Sequence, residues 1–178
     1  LSRDPRWGRI IEGCGEDPYV GAEMAKAVVD GLQGDRTDAP GSVLACAKHF
    51  VGYGAAEGGR DYCHAEISDY ALYNTYLPAF RSAIRAGVLT VMSAFNDVNG
   101  EPISASKTYL TDVLRGHLGF DGMVVSDYGA VHQLIRGGVA ENDCEAAALA
   151  LNAGVDMDMV DFCYLAEGEE AVREGRIS

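Results

Sequence analysis

Gly122-Met123-Val124-Val125-Ser126-Asp127-Tyr128 decides how this chain is read. Three apolar residues in a row, with no polar side alternating, describe a strand buried on both faces, as in a parallel sheet. Asp127 stands where that strand leaves the core. In barrel-type α/β proteins this rim carries the chemistry. The other reading is a carboxylate that caps a helix starting near Ala130. The stretch alone leaves both open.

The segments around it repeat one alternation of strand and helix. Glu16-Asp17-Pro18 opens a helix, because acidic residues suit the positive end of the helix dipole and proline suits its first turn. Val20, Met24, Val28 and Leu32 mark one face of it at helical spacing, and Gly34 ends it. A strand follows over 43–50, then a Gly-rich loop from Gly52 to about Ala65. The next helix starts near Ser68, carries Leu72, Tyr76, Phe80 and Ile84 on one face and stops at Gly87. A second strand spans 88–95, and Asn96-Asp97-Val98-Asn99-Gly100 turns the chain out of it. A helix near 109–118 precedes the strand that ends in Asp127. Short helices near 130–135 and 143–152, a last strand over 155–159 and a helix over 164–174 complete the pattern. Such alternation predicts a parallel sheet with crossover helices, either doubly wound or part of an eight-stranded barrel. Gly52-Tyr53-Gly54 lacks the third glycine of a dinucleotide loop, and Gly58-Gly59-Arg60 lacks the ending of a Walker loop.

Composition narrows the classes. The 178 residues are 48% hydrophobic, enough for one core, and carry a net charge of -13. So acidic a surface is a poor partner for nucleic acid or an anionic membrane. No apolar run approaches the ~20 residues of a membrane span. Cys14, Cys46, Cys63, Cys144 and Cys163 are odd in number and scattered, with no C-x-x-C, which disfavours a disulfide framework or a zinc site. Cys46 reads as a small core residue. Cys63-His64 is too little to make a metal site, and no cofactor is expected.

Three strands end in polar or aromatic residues: Lys48-His49, Phe95-Asn96 and Asp127-Tyr128. The loop after the first of them adds Arg60 and Asp61, and the opening segment adds Arg9. In a parallel sheet these ends share one rim. Lys, His and two Arg around one carboxylate are expected to keep it ionised, because nearby positive charge lowers its pKa. An ionised carboxylate there can act as a nucleophile or stabilise a cationic transition state. The donors suit a ligand rich in hydroxyls, and Phe95 and Tyr128 suit the flat faces of sugar rings. Each residue also has a plain structural reading: a solvated Lys48, a core His49, surface ion pairs for Arg9 and Arg60, and packing for the aromatics.

Taken together, Asp4-Pro5-Arg6-Trp7-Gly8-Arg9 with Gly15-Glu16-Asp17-Pro18, Lys48-His49-Phe50, Gly59-Arg60-Asp61-Tyr62, Met92-Ser93-Ala94-Phe95-Asn96 with Asn99-Gly100, and Val125-Ser126-Asp127-Tyr128 resemble glycoside hydrolase family 3, in order and across essentially the whole chain. The stretch 53–62 is most similar to bacterial periplasmic β-glucosidases, and the resemblance alone suggests a periplasmic or secreted location. It implies a retaining exo-glycosidase that releases β-linked glucose or xylose from non-reducing ends. Asp127 falls on its nucleophile position, and Arg9, Lys48, His49 and Arg60 on positions that bind the sugar. Two positions depart from the pattern: Tyr128 stands where Trp is frequent, and Phe95 where Tyr is. Lys48-His49-Phe50-Val51-Gly52-Tyr53-Gly54 lacks the proline and second histidine of the N-acetylglucosaminidase branch, which is thereby set aside.

A retaining pair needs a second carboxyl about 5–5.5 Å away. The resemblance implies that this acid/base Glu comes from a following C-terminal domain. Glu57 and Asp61 lie in the loop by the site and are the alternative acids, although Asp61 is expected instead to orient Arg60. The chain opens at Leu1-Ser2 with no initiator Met, and a complete barrel takes ~250 residues. Residues 1–178 are therefore expected to be an incomplete catalytic domain, a partial (β/α)8 TIM-type barrel missing its first strands and inactive by itself. The alternatives are a carbohydrate-binding relic of the same fold without turnover, and an unrelated barrel enzyme gripping a phosphate through Gly137-Gly138.

Overall fold

The computed structural model describes residues 1–177. In chain order the strands are β1 (Cys46–Phe50), β2 (Thr90–Ser93), the two-residue strands β3 (Asp97–Val98) and β4 (Glu101–Pro102), and β5 (Met123–Val125). β1, β2 and β5 form one parallel sheet in the order β1-β2-β5. Its register pairs Ala47 with Val91 and Val91 with Val124. Val91 and Val124 have no exposed surface, as an unbroken apolar strand requires when helices cover it. The helices are α1 (Pro18–Gln33), α2 (Asp69–Ala71), α3 (Leu77–Arg85), α4 (Ala130–Arg136), α5 (Asp143–Ala153) and α6 (Cys163–Arg173). A π turn over Leu72–Tyr76 joins α2 to α3, and a longer π-helix covers Thr108–His117.

Local chemistry accounts for the starts and stops. Asp17 caps α1, its Oδ1 accepting from Tyr19 N at 2.8 Å and Val20 N at 3.1 Å, with Pro18 in the first turn. Gly34 ends α1 at φ 62°. Ser68 caps α2, and Asn142 caps α5. Between β2 and the π-helix lies a hairpin rather than a plain turn: Asp97 pairs with Pro102 and Val98 with Glu101. Asn99 (φ 54°) and Gly100 (φ 84°) form its two-residue corner, where both positions need positive φ.

One buried polar side chain ties the first helix to two strands. Gln33 Nε2 donates to Gly87 O at 2.8 Å, and its Oε1 accepts from Ala45 N and Leu89 N, each at 3.2 Å. The core beyond it includes Leu77, Leu110, Leu114, Val131 and Val155, with Phe50 edge-on to Phe80 at 5.0 Å.

Three expectations change. The last strand over 155–159 shrinks to one parallel bridge, Val125 to Met157. The Asp156 carboxylate explains it: its Oδ2 accepts Val124 N at 2.7 Å, so a side chain takes a donor that a longer ladder would use. The α1 face of Val20, Met24, Val28 and Leu32 is 43–49% exposed; the buried residues are Gly21, Val29 and Gln33. Met24, Val28 and Leu32 of that face line a groove with Ala45, Cys46 and Ala47, along the edge of β1 that no described strand pairs. Cys46 is accordingly exposed rather than in the core. No helix is long and apolar enough to cross a membrane, among the described residues.

Candidate active site

Asp127 follows β5 and is 7% exposed. Its Oδ1 accepts from Tyr128 N at 2.7 Å. Its Oδ2 is buried with no hydrogen-bond partner among the described residues. The helix-cap reading fails: Gly129 occupies the cap position of α4 with no side-chain cap there. The capping acceptor is Asp161, whose Oδ2 takes both Val131 N and His132 N at 2.9 Å. Asp161 thus satisfies the orphan donors of α4 from thirty residues downstream and leaves Asp127 available.

β1 and β2 bring the neighbours. Pairing of β1 with β2 is regular at Ala47 and resumes at Phe50 with Ser93, so Lys48 and His49 lie in the irregular stretch between. His49 Nε2 lies 3.3 Å from Asp127 Oδ2. The same nitrogen is 3.3 Å from Arg9 Nη2. A guanidinium only donates, so Nε2 accepts from Arg9 and the ring proton belongs on Nδ1. The single lone pair of Nε2 is then committed to Arg9 and the nitrogen has no proton to give Asp127, which explains why Oδ2 remains unpartnered. Arg9 is locked from its other edge by Glu12, with Nε to Oε1 at 2.7 Å and Nη2 to Oε2 at 2.8 Å. Its Nη1 reaches the Tyr53 hydroxyl at 3.4 Å, and its guanidinium lies 5.2 Å from the Tyr53 ring centre. Lys48 is exposed and makes no ion pair among the described residues.

The titration pattern differs from the expectation. Burial raises the Asp127 carboxyl above its ordinary value, against the opposing pull of the Tyr128 N–H, Arg9 and Lys48. Burial, then the charges of Arg9 and Lys48, push His49 down to about 4, so its ring is neutral near pH 7. The cations around Asp127 are therefore Arg9 and Lys48, without His49.

Asp127, Tyr128, Phe95 and Arg9 border an open cleft of about 700 Å³ together with Tyr62 and His132. Lys48 and His49 line a smaller cavity of about 130 Å³ on the other side of Arg9. Tyr128 is 66% exposed at the cleft mouth. Phe95 is half-buried, edge-on to Tyr62 at 4.9 Å and Tyr53 at 5.6 Å. Arg60 stands apart: it is exposed, and its Nε donates only to Glu57 O, at 3.4 Å. Asp61 does not orient it. Asp61 Oδ1 accepts instead from Trp7 Nε1 at 3.0 Å. Trp7, Tyr53 and Glu12 are thus parts of the site that the sequence left without roles. Trp7 stood in a quoted motif, but nothing local links it to a carboxylate 54 positions away.

A cluster with metal-binding donor types lies at the cleft's far side, where Asp143 Oδ1 meets His132 Nδ1 at 2.8 Å and Cys163 Sγ at 3.5 Å. Burial pushes the Cys163 thiol up to about 12, so it stays protonated and donates to Asp143. The three side chains satisfy one another as hydrogen-bond partners.

Fold and site together describe an α/β enzyme domain whose parallel strands end at a buried carboxylate flanked by fixed cationic donors and aromatic faces. The chain belongs to glycoside hydrolase family 3: residues 1–178 match the family description "Glycosyl hydrolase family 3 N terminal domain". A periplasmic β-glucosidase of Salmonella typhimurium is 41% identical over 178 residues, covering 100% of this chain and 23% of that protein. A β-xylosidase of Formosa agariphila is 44% identical over 161 residues, covering 88% of this chain and 22% of that protein. The crystal structure of a β-glucosidase from Listeria innocua in complex with glucose superposes with a TM-score of 0.97 at 47% identity, covering 100% of this chain and 25% of that one. The chain spans about a quarter of the length of these relatives.

Proposed function

We propose that the protein carrying this chain is a retaining, exo-acting β-glycosidase that releases terminal glucose or xylose from the non-reducing ends of oligosaccharides or β-glucosides, with Asp127 as nucleophile. The observation that carries this is the state of Asp127: one oxygen fixed by Tyr128 N at 2.7 Å, the other buried and unpartnered. A carboxylate so held keeps an oxygen for the anomeric carbon. Attack through an oxocarbenium-like transition state forms a glycosyl-aspartate, which water then cleaves with the anomeric configuration retained. Arg9 and Lys48 favour the ionised carboxylate that attack requires. Neutral His49 and the donors of Arg9 and Lys48 suit sugar hydroxyls, while Phe95 and Tyr128 offer apolar faces. Arg60, held by one long bond, joins them by swinging its exposed side chain towards the sugar.

The second carboxyl is proposed to come from a further, C-terminal domain of the intact protein, so residues 1–178 alone are inactive. The catalytic domain is proposed to be a (β/α)8 barrel of which this chain is a part. The chain-order sheet β1-β2-β5, the Val125 to Met157 bridge beyond it and the apolar groove beside β1 support that reading. The name of the Salmonella relative supports a periplasmic or secreted setting.

The test is trapping with 2-deoxy-2-fluoro-β-glucosyl and -xylosyl fluorides on the intact protein. A covalent sugar is expected on the peptide containing Asp127, and the faster of the two reagents identifies the preferred sugar. Labelling at any other residue refutes the assignment.

A further inference from the structure

Asp127 Oδ2 is buried without a partner among the described residues, and a guanidinium stands one histidine away from it. Arginine and a carboxylate make strong, often two-pronged, contacts. Yet no hydrogen bond or ion pair joins Arg9 to Asp127 among the described residues. The donors of Arg9 are spent elsewhere. A guanidinium carries five N–H groups in one rigid plane. Glu12 takes Nε at 2.7 Å and one Nη2 proton at 2.8 Å, as a fork. The other Nη2 proton goes to His49 Nε2 at 3.3 Å, and one Nη1 proton goes to the Tyr53 hydroxyl at 3.4 Å. The two Glu12 bonds are short and charge-assisted, and the other two are long. Glu12 therefore fixes the plane of the guanidinium. A single helical turn, closed by Glu12 N to Arg9 O at 3.0 Å, sets the spacing that lets the two side chains meet.

We propose that Glu12 is a positioning residue: it anchors Arg9 by one edge, holds the guanidinium off Asp127 and so keeps the attacking oxygen of the nucleophile uncovered. Arg9 then acts on Asp127 as a nearby charge and not as a bonded partner. Held this way, it also commits the lone pair of His49 Nε2, and the last Nη1 proton stays available to a ligand. This rests on the glycosidase reading above and adds a residue that acts through Arg9 rather than on the sugar.

Glu12→Gln separates this role from a packing role. The Glu12 side chain is half-exposed, so the change leaves the core intact. The amide keeps the shape and an oxygen for Nε, but it loses the charge and turns an NH2 towards Nη2, donor against donor. Arg9 is then released towards the unpartnered oxygen of Asp127. In the intact protein, E12Q is expected to lower kcat/KM on an aryl β-glycoside by about tenfold to a hundredfold, the scale of one bond to a charged group. The rate of trapping by 2-deoxy-2-fluoro-β-glucosyl fluoride is expected to fall by a similar factor, while the reagent's binding constant changes by less than about threefold. A covered oxygen slows attack, whereas a loosened segment weakens binding. The double variant R9A/E12Q is expected to be no worse than R9A, because Glu12 acts only on Arg9. The proposal is overturned if E12Q stays within about twofold of wild type, if its loss lies wholly in binding, or if the Arg9 and Glu12 losses multiply. Should E12Q fail to fold, Arg9→Lys decides: lysine has no fork for Glu12 to hold, so wild-type kcat/KM in R9K overturns the proposal. A wild-type protein that hydrolyses no aryl β-glycoside refutes the glycosidase reading and this role with it, whereas an active wild type with an indifferent E12Q refutes Glu12 alone.

Discussion

Replacing the proposed nucleophile should make the fold more stable. In Asp127→Asn the oxygen that accepts Tyr128 N at 2.7 Å is retained. The other oxygen becomes an uncharged NH2 placed 3.3 Å from His49 Nε2, whose one lone pair it shares with Arg9. A buried, unsatisfied charged oxygen disappears. Relief of one such group is worth about 1–3 kcal/mol. For a domain of this size, 1 kcal/mol corresponds to a Tm rise of about 2–4 °C. The pH dependence follows from the direction of the shift. The folded-state pKa of Asp127 is raised, so between its unfolded and folded values the native state holds the extra proton. Wild-type stability therefore falls as pH climbs through that window. Asn does not titrate, so the advantage of D127N is smallest below the unfolded value of about 3.8 and reaches its full size above the folded value. Urea unfolding of both proteins at a series of pH values measures it. A D127N protein less stable than wild type at pH 7, or an advantage that shrinks as pH rises, refutes the reasoning.

Two further substitutions probe the scaffold. Gln33→Leu fits the buried volume but leaves Gly87 O, Ala45 N and Leu89 N without their partner, and is expected to cost about 3–5 kcal/mol in urea unfolding; a loss under about 1 kcal/mol would show that these groups re-pair. Asp161→Ala removes the acceptor shared by Val131 N and His132 N and is expected to cost about 1–2 kcal/mol, with faster hydrogen exchange at the first turn of α4; unchanged exchange there would mean that Asp161 does not cap the helix.

Much of the fold was legible because its signals are local. The apolar runs at 88–95 and 122–127 describe β2 and β5 directly, and Asp17-Pro18 with Gly34 bounds α1 within a few residues. Where periodicity misled, the missing information was what lies opposite. Val20, Met24, Val28 and Leu32 have helical spacing whichever surface they face, and here the last three line the groove beside the edge of β1 that no described strand pairs. The strand over 155–159 was shortened by a carboxylate within it, Asp156, which took the Val124 N–H. A two-residue hairpin at 97–102 is too short for alternation to announce it, although Asn99-Gly100 carried the turn signal.

The sequence by itself determined the alternating fold class, the strand ends as the location of the candidate site and the family, because strand runs, caps and motif order are properties of neighbouring residues. Tertiary structure decided what each group does there. It gave the helix cap to Asp161 and left Asp127 free. It also made His49 a neutral acceptor, set Arg60 outside the cluster and turned Asp61 towards Trp7. These outcomes depend on burial and on hydrogen bonds across 30 to 54 positions of chain, from Val131 to Asp161 and from Trp7 to Asp61. Desolvation and directional pairing exist only once the chain has closed on itself, so no local pattern could carry them.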